Sequence, residues 1–357
     1  MKPRNLYFVW QYNDVDRAFW REHLEDWLPQ RVFDAHQHVS PAHLRQHPMT
    51  EPMRRQMWVN ELTEPIDAPT AQRCIQTVFP GRQVPCLMFG TPNLDYNLEG
   101  LNEYVRSESG QRGWVCLSLL RPEWSADRLA AELDKPGVIG VKPYYTLIAR
   151  TPDTRDRYLE SSIFDFLPHA ALEVLNDRGS WVTLHVPRAG RLAHPQNLSE
   201  IREIRRRYPR VILVIAHFGR CYTEVHARQA LPVLADDPGL YFDNAAVLNP
   251  AVHRLALECL GPHRILYGSD NPIFYMRGRQ GWEGDQYINH TSHPFHFNAH
   301  REPPPVEAGY TLYMYEALRA LRQACDDLGL SVNQVRAVLH DNAQRLVNQA
   351  QNGRGTG

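Results

Sequence analysis

Two histidines one residue apart, His36 and His38, stand near the end of a short apolar run, Arg31 to Val39. On an extended strand, residues two apart share a face, so Asp34, His36 and His38 are expected on one side. Two imidazoles so placed can reach a single ion at about 2.0 to 2.1 Å, the distance a zinc-type site needs. In a chain with 17 histidines the pair means little alone. It gains meaning if other ligands arrive from elsewhere. The candidates are His185 in Thr183-Leu184-His185-Val186-Pro187, His217 in Ala216-His217-Phe218-Gly219-Arg220, and Asp270 in Gly268-Ser269-Asp270-Asn271-Pro272.

What would bring them together is a regular alternation of elements. Apolar runs of strand length fall at 31–39, 84–90, 114–120, 138–145, 181–186, 211–216, 240–243 and 264–267. Between them lie helical patterns at 68–79, 98–107, 125–133, 163–177, 198–207, 224–235 and 251–260. Apolar strands separated by helices pair in parallel with both faces covered. Eight such units close an α/β (β/α)8 TIM barrel, whereas a doubly wound sheet opens with a Gly-rich turn that is absent after the first strand. Active sites of such barrels lie where the strands end at the C-terminal face. His36 and His38, His185, His217 and Asp270 then fall at the ends of strands one, five, six and eight.

The rest of the chain frames that barrel. Residues 1–30 read as an N-terminal helical extension, with a helix at 13–28 capped by Asn13 or Asp14. Residues 31–350 read as one barrel domain with closing helices at 310–328 and 331–348, the latter opening on the capping box Ser331…Gln334. Residues 273–308 form a non-repetitive insert after strand eight, and 351–357 a frayed tail. The insert's His290, His293, His296 and His300 are interrupted by Pro294 and are not expected to form a second metal site.

The set His36-x-His38, His185, His217 in "AHFGR", Asp270 in "YGSDNP" and the terminal "LHDNAQRLV" resembles the amidohydrolase superfamily over about residues 30–347. It resembles in particular the branch of sugar lactonases and aminocarboxymuconate-semialdehyde decarboxylase-like enzymes. The resemblance implies one divalent ion, zinc first and manganese second, held by His36, His38, His185 and Asp270, with His217 nearby polarising substrate or water. Imidazole and carboxylate ligands with an open position suit a Lewis acid that lowers the pKa of bound water. Asp270 is expected to take a proton from that water and pass it to a leaving group. In the superfamily's two-metal members a modified lysine on strand four bridges the ions, which raises a binuclear alternative at Lys142. Unmodified, Lys142 would bind substrate together with Tyr144, Arg188 and Arg220, whose guanidinium forks suit carboxylates. Asp34 is read as structural.

These features point to a hydrolase of a small, oxygen-rich, carboxylate-bearing lactone, ester or amide. The alternative is a decarboxylase or other lyase on the same ligands. Composition narrows the partners: net charge is −1, from 39 basic and 40 acidic residues, so no global field favours nucleic acid or membrane. A small-molecule substrate is expected, with a homo-oligomer as the family's habit. Six scattered cysteines lack any C-x-x-C spacing, and neither a signal peptide nor a ~20-residue apolar span is legible, so a cytoplasmic protein is expected.

Overall fold

A computed structural model describes residues 12–52, 61, 66–148, 160–292 and 300–353. Eight parallel strands follow one another around a barrel in sequence order. They are β1 (Asp34–His38), β2 (Cys86–Phe89), β3 (Val115–Leu119), β4 (Val138–Lys142), β5 (Trp181–Leu184), β6 (Ile212–Ile215), β7 (Leu240–Asp243) and β8 (Ile265–Leu266). Closure comes from the backbone just beyond β8. Ala35 N–H donates to the Tyr267 carbonyl (2.9 Å), Asp270 N–H to the His36 carbonyl (2.9 Å) and His38 N–H to the Asn271 carbonyl (2.9 Å).

Helices fill the crossovers: α1 (Asp14–Phe19) before the barrel, then α2 (Ala68–Val78), α3 (Leu98–Gln111), α4 (Ala126–Leu133), α5 (Ile163–Phe166), α6 (His169–Asp177), α7 (Pro195–Arg207), α8 (Glu224–Ala230) and α9 (Pro250–Leu260). Three more close the chain: α10 (Tyr313–Asp327), α11 (Val332–Arg336) and α12 (Asn342–Asn352), the last two joined through a π turn at Ala337–Asp341. Among the described residues no helix is long and apolar enough to cross a membrane.

Side-chain alternation sorts the strands into two cores. Leu87, Phe89, Val115, Leu117, Ile139, Trp181, Ile212, Val214 and Leu266 pack together inside the barrel, while their neighbours face the helices. The interior cluster continues into Ala343, Leu346, Val347 and Ala350, so α12 seals the N-terminal end. Phe33 N–H to the Leu339 carbonyl (2.8 Å) and Tyr267 N–H to the Val338 carbonyl (3.0 Å) tie the preceding turn to the same end.

Where the elements differ from the sequence pattern, the reasons are local. The helix expected over 163–177 breaks at Pro168, which cannot donate within a helix, leaving α5 and α6. The helix expected over 224–235 gives way after α8 to a 3-10 turn, Leu231–Leu234, that contains Pro232. The helix expected over 13–28 is α1, capped by Asn13, followed by a π turn at Trp20–Leu24. The insert is not without structure: β9 (Gly278–Glu283) and β10 (Gln286–Thr291) form an antiparallel hairpin. Its turn has Gly284 at φ 60°, the conformation a glycine admits at the start of a two-residue hairpin loop. The closing helix runs on to Asn352, into the stretch expected to fray. Residues 1–11 of the extension, 293–299 of the insert with His293 and His296, and 354–357 of the tail lie outside the described residues.

Two strands carry an extra residue. Between the pairs Asp34↔Cys86 and Gln37↔Met88, β1 advances three residues while β2 advances two. Between Cys116↔Val138 and Leu117↔Gly140, β4 gains one over β3. Such bulges re-aim the side chains that follow. In β1 the shift carries His36 to the interior side already occupied by Phe33 and Ala35, so Asp34 lies on the opposite face from His36 and His38. That corrects the simple alternation, which put all three together. In β4 the shift brings Gly140 against β5, where a Cβ would sit 1.8 Å from the Trp181 carbonyl oxygen. Gly140→Ala is therefore expected to push β4 off β5 and displace Lys142, lowering stability by about 1–3 kcal/mol or more; a melting temperature within a degree of the parent's would contradict this packing.

Candidate metal centre

At the floor of the barrel mouth, two side chains from β1 and one from the segment just beyond β8 converge. His38 Nε2 lies 3.3 Å and His36 Nε2 3.5 Å from Asp270 Oδ1. The ligand atoms of these three residues all fall within 4.8 Å of one another, the spacing of a cation site. The opposite ring nitrogens are engaged: His36 Nδ1 with Asp243 Oδ2 (2.9 Å) and His38 Nδ1 with the Gly90 carbonyl (3.3 Å). With each Nδ1 engaged by its acceptor, Nε2 is the nitrogen that each ring offers on the side of Asp270. Burial would raise the Asp270 carboxyl, but His217, the His38 hydrogen bond and His36 outweigh it and hold the group at about 2. It is an anion at neutral pH.

His36, His217 and Asp243 form a second group of close ligand atoms. There the nearest nitrogens are Nδ1 atoms already committed to hydrogen bonds, His36 to Asp243 and His217 to the Ala245 carbonyl (2.9 Å). That group supports the first rather than duplicating it. His217 opens a left-handed turn with φ of 56°, 46°, 68° and 66° at His217, Phe218, Gly219 and Arg220. For L-residues such a turn costs roughly 1–2 kcal/mol each. The His217 ring centre lies 4.7 Å from that of His36, the two planes tilted by 36°.

His185 lies one ring further out, 5.3 Å from His217 and 4.8 Å from Tyr144 between centroids. It is not among the residues that converge on Asp270, and its Nδ1 is buried without a hydrogen-bond partner. Burial lowers the pKa of both His36 and His185. Lys142, 1% exposed, places Nζ 3.5 Å from His36 Nε2 and 4.9 Å from the Phe89 ring centre. Burial draws it down to about 8, against the pull of Asp243 and Asp270.

Above this floor opens a cavity of about 320 Å³. Tyr144, Tyr145, Arg220, Tyr222 and, from β10, Tyr287 and Asn289 line one part of it, and Arg45 and Tyr96 another. Arg220 donates Nη1 to the Arg188 carbonyl (2.8 Å). Arg188 itself is not among the lining residues; its Nη1 is 3.4 Å from Glu160. Arg277 pairs with the buried Asp16, tying α1 to the insert, and Arg279 pairs with Glu302. Sequence reasoning missed Asp243, although it ends an apolar strand two residues after the inward-facing Tyr241. It also missed Tyr222 and the hairpin's Tyr287, which a Gly-Asp turn at 284–285 could have signalled.

A protein-family model described as Amidohydrolase matches residues 33–349. This chain belongs to the amidohydrolase family. No curated protein matches it. Among solved structures, an amidohydrolase from Burkholderia multivorans with bound zinc is 12% identical, covering 89% of this chain and 99% of that one at a TM-score of 0.56. A "probable 2-pyrone-4,6-dicarboxylic acid hydrolase" from Acinetobacter baumannii, with citric acid bound, is 14% identical over 89% and 99% at 0.51. A 5-carboxyvanillate decarboxylase from Novosphingobium aromaticivorans, complexed with manganese and 4-hydroxy-3-methoxy-5-nitrobenzoic acid, is 11% identical over 84% and 85% at 0.51. Identities this low speak for the shared fold.

In this amidohydrolase Asp34 sits behind the cluster. It accepts from His36 N–H (3.0 Å), Ser269 N–H (2.9 Å) and the Ser269 hydroxyl (2.5 Å), and burial raises its pKa. It thus binds the backbone of both cluster-bearing segments. Ser269→Ala leaves this buried carboxylate short of a donor and is expected to lower unfolding free energy by about 1–3 kcal/mol in a denaturant titration. No loss would show the hydroxyl to be dispensable.

Proposed function

We propose that this amidohydrolase is a metal-dependent hydrolase of a small, oxygen-rich, carboxylate-bearing substrate, a lactone, ester or amide. The observation that carries the reading is the convergence of His36 Nε2, His38 Nε2 and the anionic Asp270 on the floor of an open cavity. This donor set fits one divalent ion, with zinc first and manganese second; His36, His38, Asp270 and, from β5, His185 would hold it. Zinc is bound in one structural neighbour and manganese in another. Bound there, the ion would supply Lewis-acid polarisation and lower the pKa of water.

The chain's own groups supply the rest. Asp270 accepts the proton of the attacking water and delivers it to the leaving group. His217, with Nδ1–H held by the Ala245 carbonyl, would stabilise the developing negative charge as an imidazolium, donating from Nε2–H. Lys142 and Tyr144 contact substrate oxygens, and the Arg220 fork takes the carboxylate. Arg188 would join them only by leaving Glu160.

A second reading is a metal-dependent decarboxylase. The aromatic walls at Tyr144, Tyr145, Tyr222 and Tyr287 favour it, because they would stack a flat carboxylated ring. Release of carbon dioxide from a carboxylated aromatic acid, with no lactone, ester or amide hydrolysed, would decide for this reading.

Elemental analysis is expected to find about one zinc or manganese per chain, lost on His36→Ala or Asp270→Ala, and Asp270→Asn should slow turnover at least ~100-fold with the fold intact. Full metal content in both alanine variants would remove the site. Arg220→Met should raise KM for an anionic substrate about 10- to 100-fold and leave kcat nearly unchanged; an unchanged KM would make Arg220 a structural ligand of the Arg188 carbonyl.

A further inference from the structure

Asp243 is fully buried at the end of β7 and touches both parts of the cluster. Its Oδ2 takes His36 Nδ1–H at 2.9 Å. Its Oδ1 takes two backbone donors, His217 N–H at 2.7 Å and Ala245 N–H at 3.2 Å. Ala245 is bonded in both directions, because its carbonyl accepts His217 Nδ1–H at 2.9 Å. One carboxylate therefore meets the ring of one histidine and the main chain of the other.

We propose that Asp243 is the positioning residue through which His36 and His217 are aimed as one unit, one oxygen selecting the ring form of His36 and the other holding the turn that begins at His217. This rests on the cluster being a metal centre in only one respect, the affinity change described below. Both Asp243 oxygens stand as acceptors, Oδ1 toward the His217 and Ala245 amides and Oδ2 toward His36, so Nδ1–H stays on His36 and Nε2 is the nitrogen left on the side of His38 and Asp270. The left-handed turn needs the second half of the device. Three of its four residues are not glycine, and L-residues leave that region unless the surroundings hold them. The charge-assisted acceptor at its first N–H does so from below. From the side, Gly219 packs where a Cβ would lie 2.5 Å from Leu192 Cβ.

The two halves come apart under substitution. In Asp243→Asn the amide oxygen still accepts from His217 and Ala245, so the NH2 group is turned to His36 Nδ1. Two donors cannot face each other, so His36 moves its proton to Nε2 and blocks the nitrogen that faces the cavity. The same wrong-tautomer logic makes Asp→Asn beside a catalytic histidine so damaging in serine proteases. Asp243→Ala removes both contacts.

The test is long-range ¹H–¹⁵N NMR of histidine-labelled protein, with zinc affinity measured by competition against a chromophoric chelator. In the parent protein, metal-free, His36 and His217 should both show Nδ1–H. In Asp243→Asn, His36 should switch to Nε2–H while His217 keeps its signal, and zinc should bind about 10- to 100-fold more weakly. In Asp243→Ala the His217 signal should shift as well; if that variant does not fold, Asp243→Asn decides alone. An unchanged His36 tautomer in Asp243→Asn overturns the proposal, as does zinc affinity within about threefold of the parent's. If the parent takes up no zinc, the metal reading fails and the tautomer switch alone decides. None of these readouts uses turnover, so failure to hydrolyse any lactone, ester or amide would sink the hydrolase reading and leave this one standing.

Discussion

The hydrogen-bonded seam between β1 and the segment beyond β8 is the constraint on which the site depends. The backbone rung that joins Asp270 N–H to the His36 carbonyl carries on its own side chains two members of the converging cluster. The neighbouring rung, His38 N–H to the Asn271 carbonyl, brings in the third. Residues more than two hundred positions apart are thus set in register by main-chain geometry, and their side chains need only ordinary rotamers to meet. Asp34 fastens the seam from behind through the amides of His36 and Ser269. A shift of one residue at this seam would turn the cluster to the opposite faces of the strands.

Around the seam the rim of the barrel is under conformational tension. Among the described residues, every non-glycine with positive φ lies beyond the ends of β5 to β8: Arg188, Arg191, the run His217, Phe218 and Arg220, Ala246 and Asp270. Strained backbone persists only where its neighbours over-determine it, and it gathers at functional sites. Here it coincides with the half of the barrel that carries His217 and Asp270. Electrostatics act on the same groups. Burial favours the neutral forms of His36, His185 and Lys142, while the Asp270 carboxyl is held low, against burial, by His217 and by its hydrogen bond with His38.

Much of this was legible in the sequence. Apolar runs of strand length alternating with helical periods gave all eight strands in order, and the polar residues ending strands one, five, six and eight gave five side chains that line the cavity. The bulges were not legible, because one extra residue in β1 or β4 leaves no mark in composition; it depends on how the partner strand pairs. That is why Asp34 was expected beside His36 and instead lies across the strand. Asp243 was hidden for another reason: a carboxylate reads as a loop residue unless the inward direction of Tyr241 is known. The hairpin at 278–291 escaped because Gly278, Gly281 and Gly284 dilute any β pattern. Arg188 and Arg220 have the same spacing from their histidines, yet only Arg220 lines the cavity, since the partner each finds on the rim belongs to tertiary structure.

The sealing of the barrel's N-terminal end by α12 has a consequence for synthesis of the protein. A chain growing from its N-terminus makes His36 and His38 early, on a strand whose second edge stays unpaired until residues 267–271 emerge. The interior layer of Leu87, Phe89, Ile139 and Trp181 stays open at its base until Ala343, Leu346 and Val347 have been made. The barrel therefore cannot close until late in synthesis, with an apolar bore and a bare strand edge open until then, the kind of surface that chaperones shield. A truncation that removes α12 spares every residue of the mouth and still leaves the bore open to water from below.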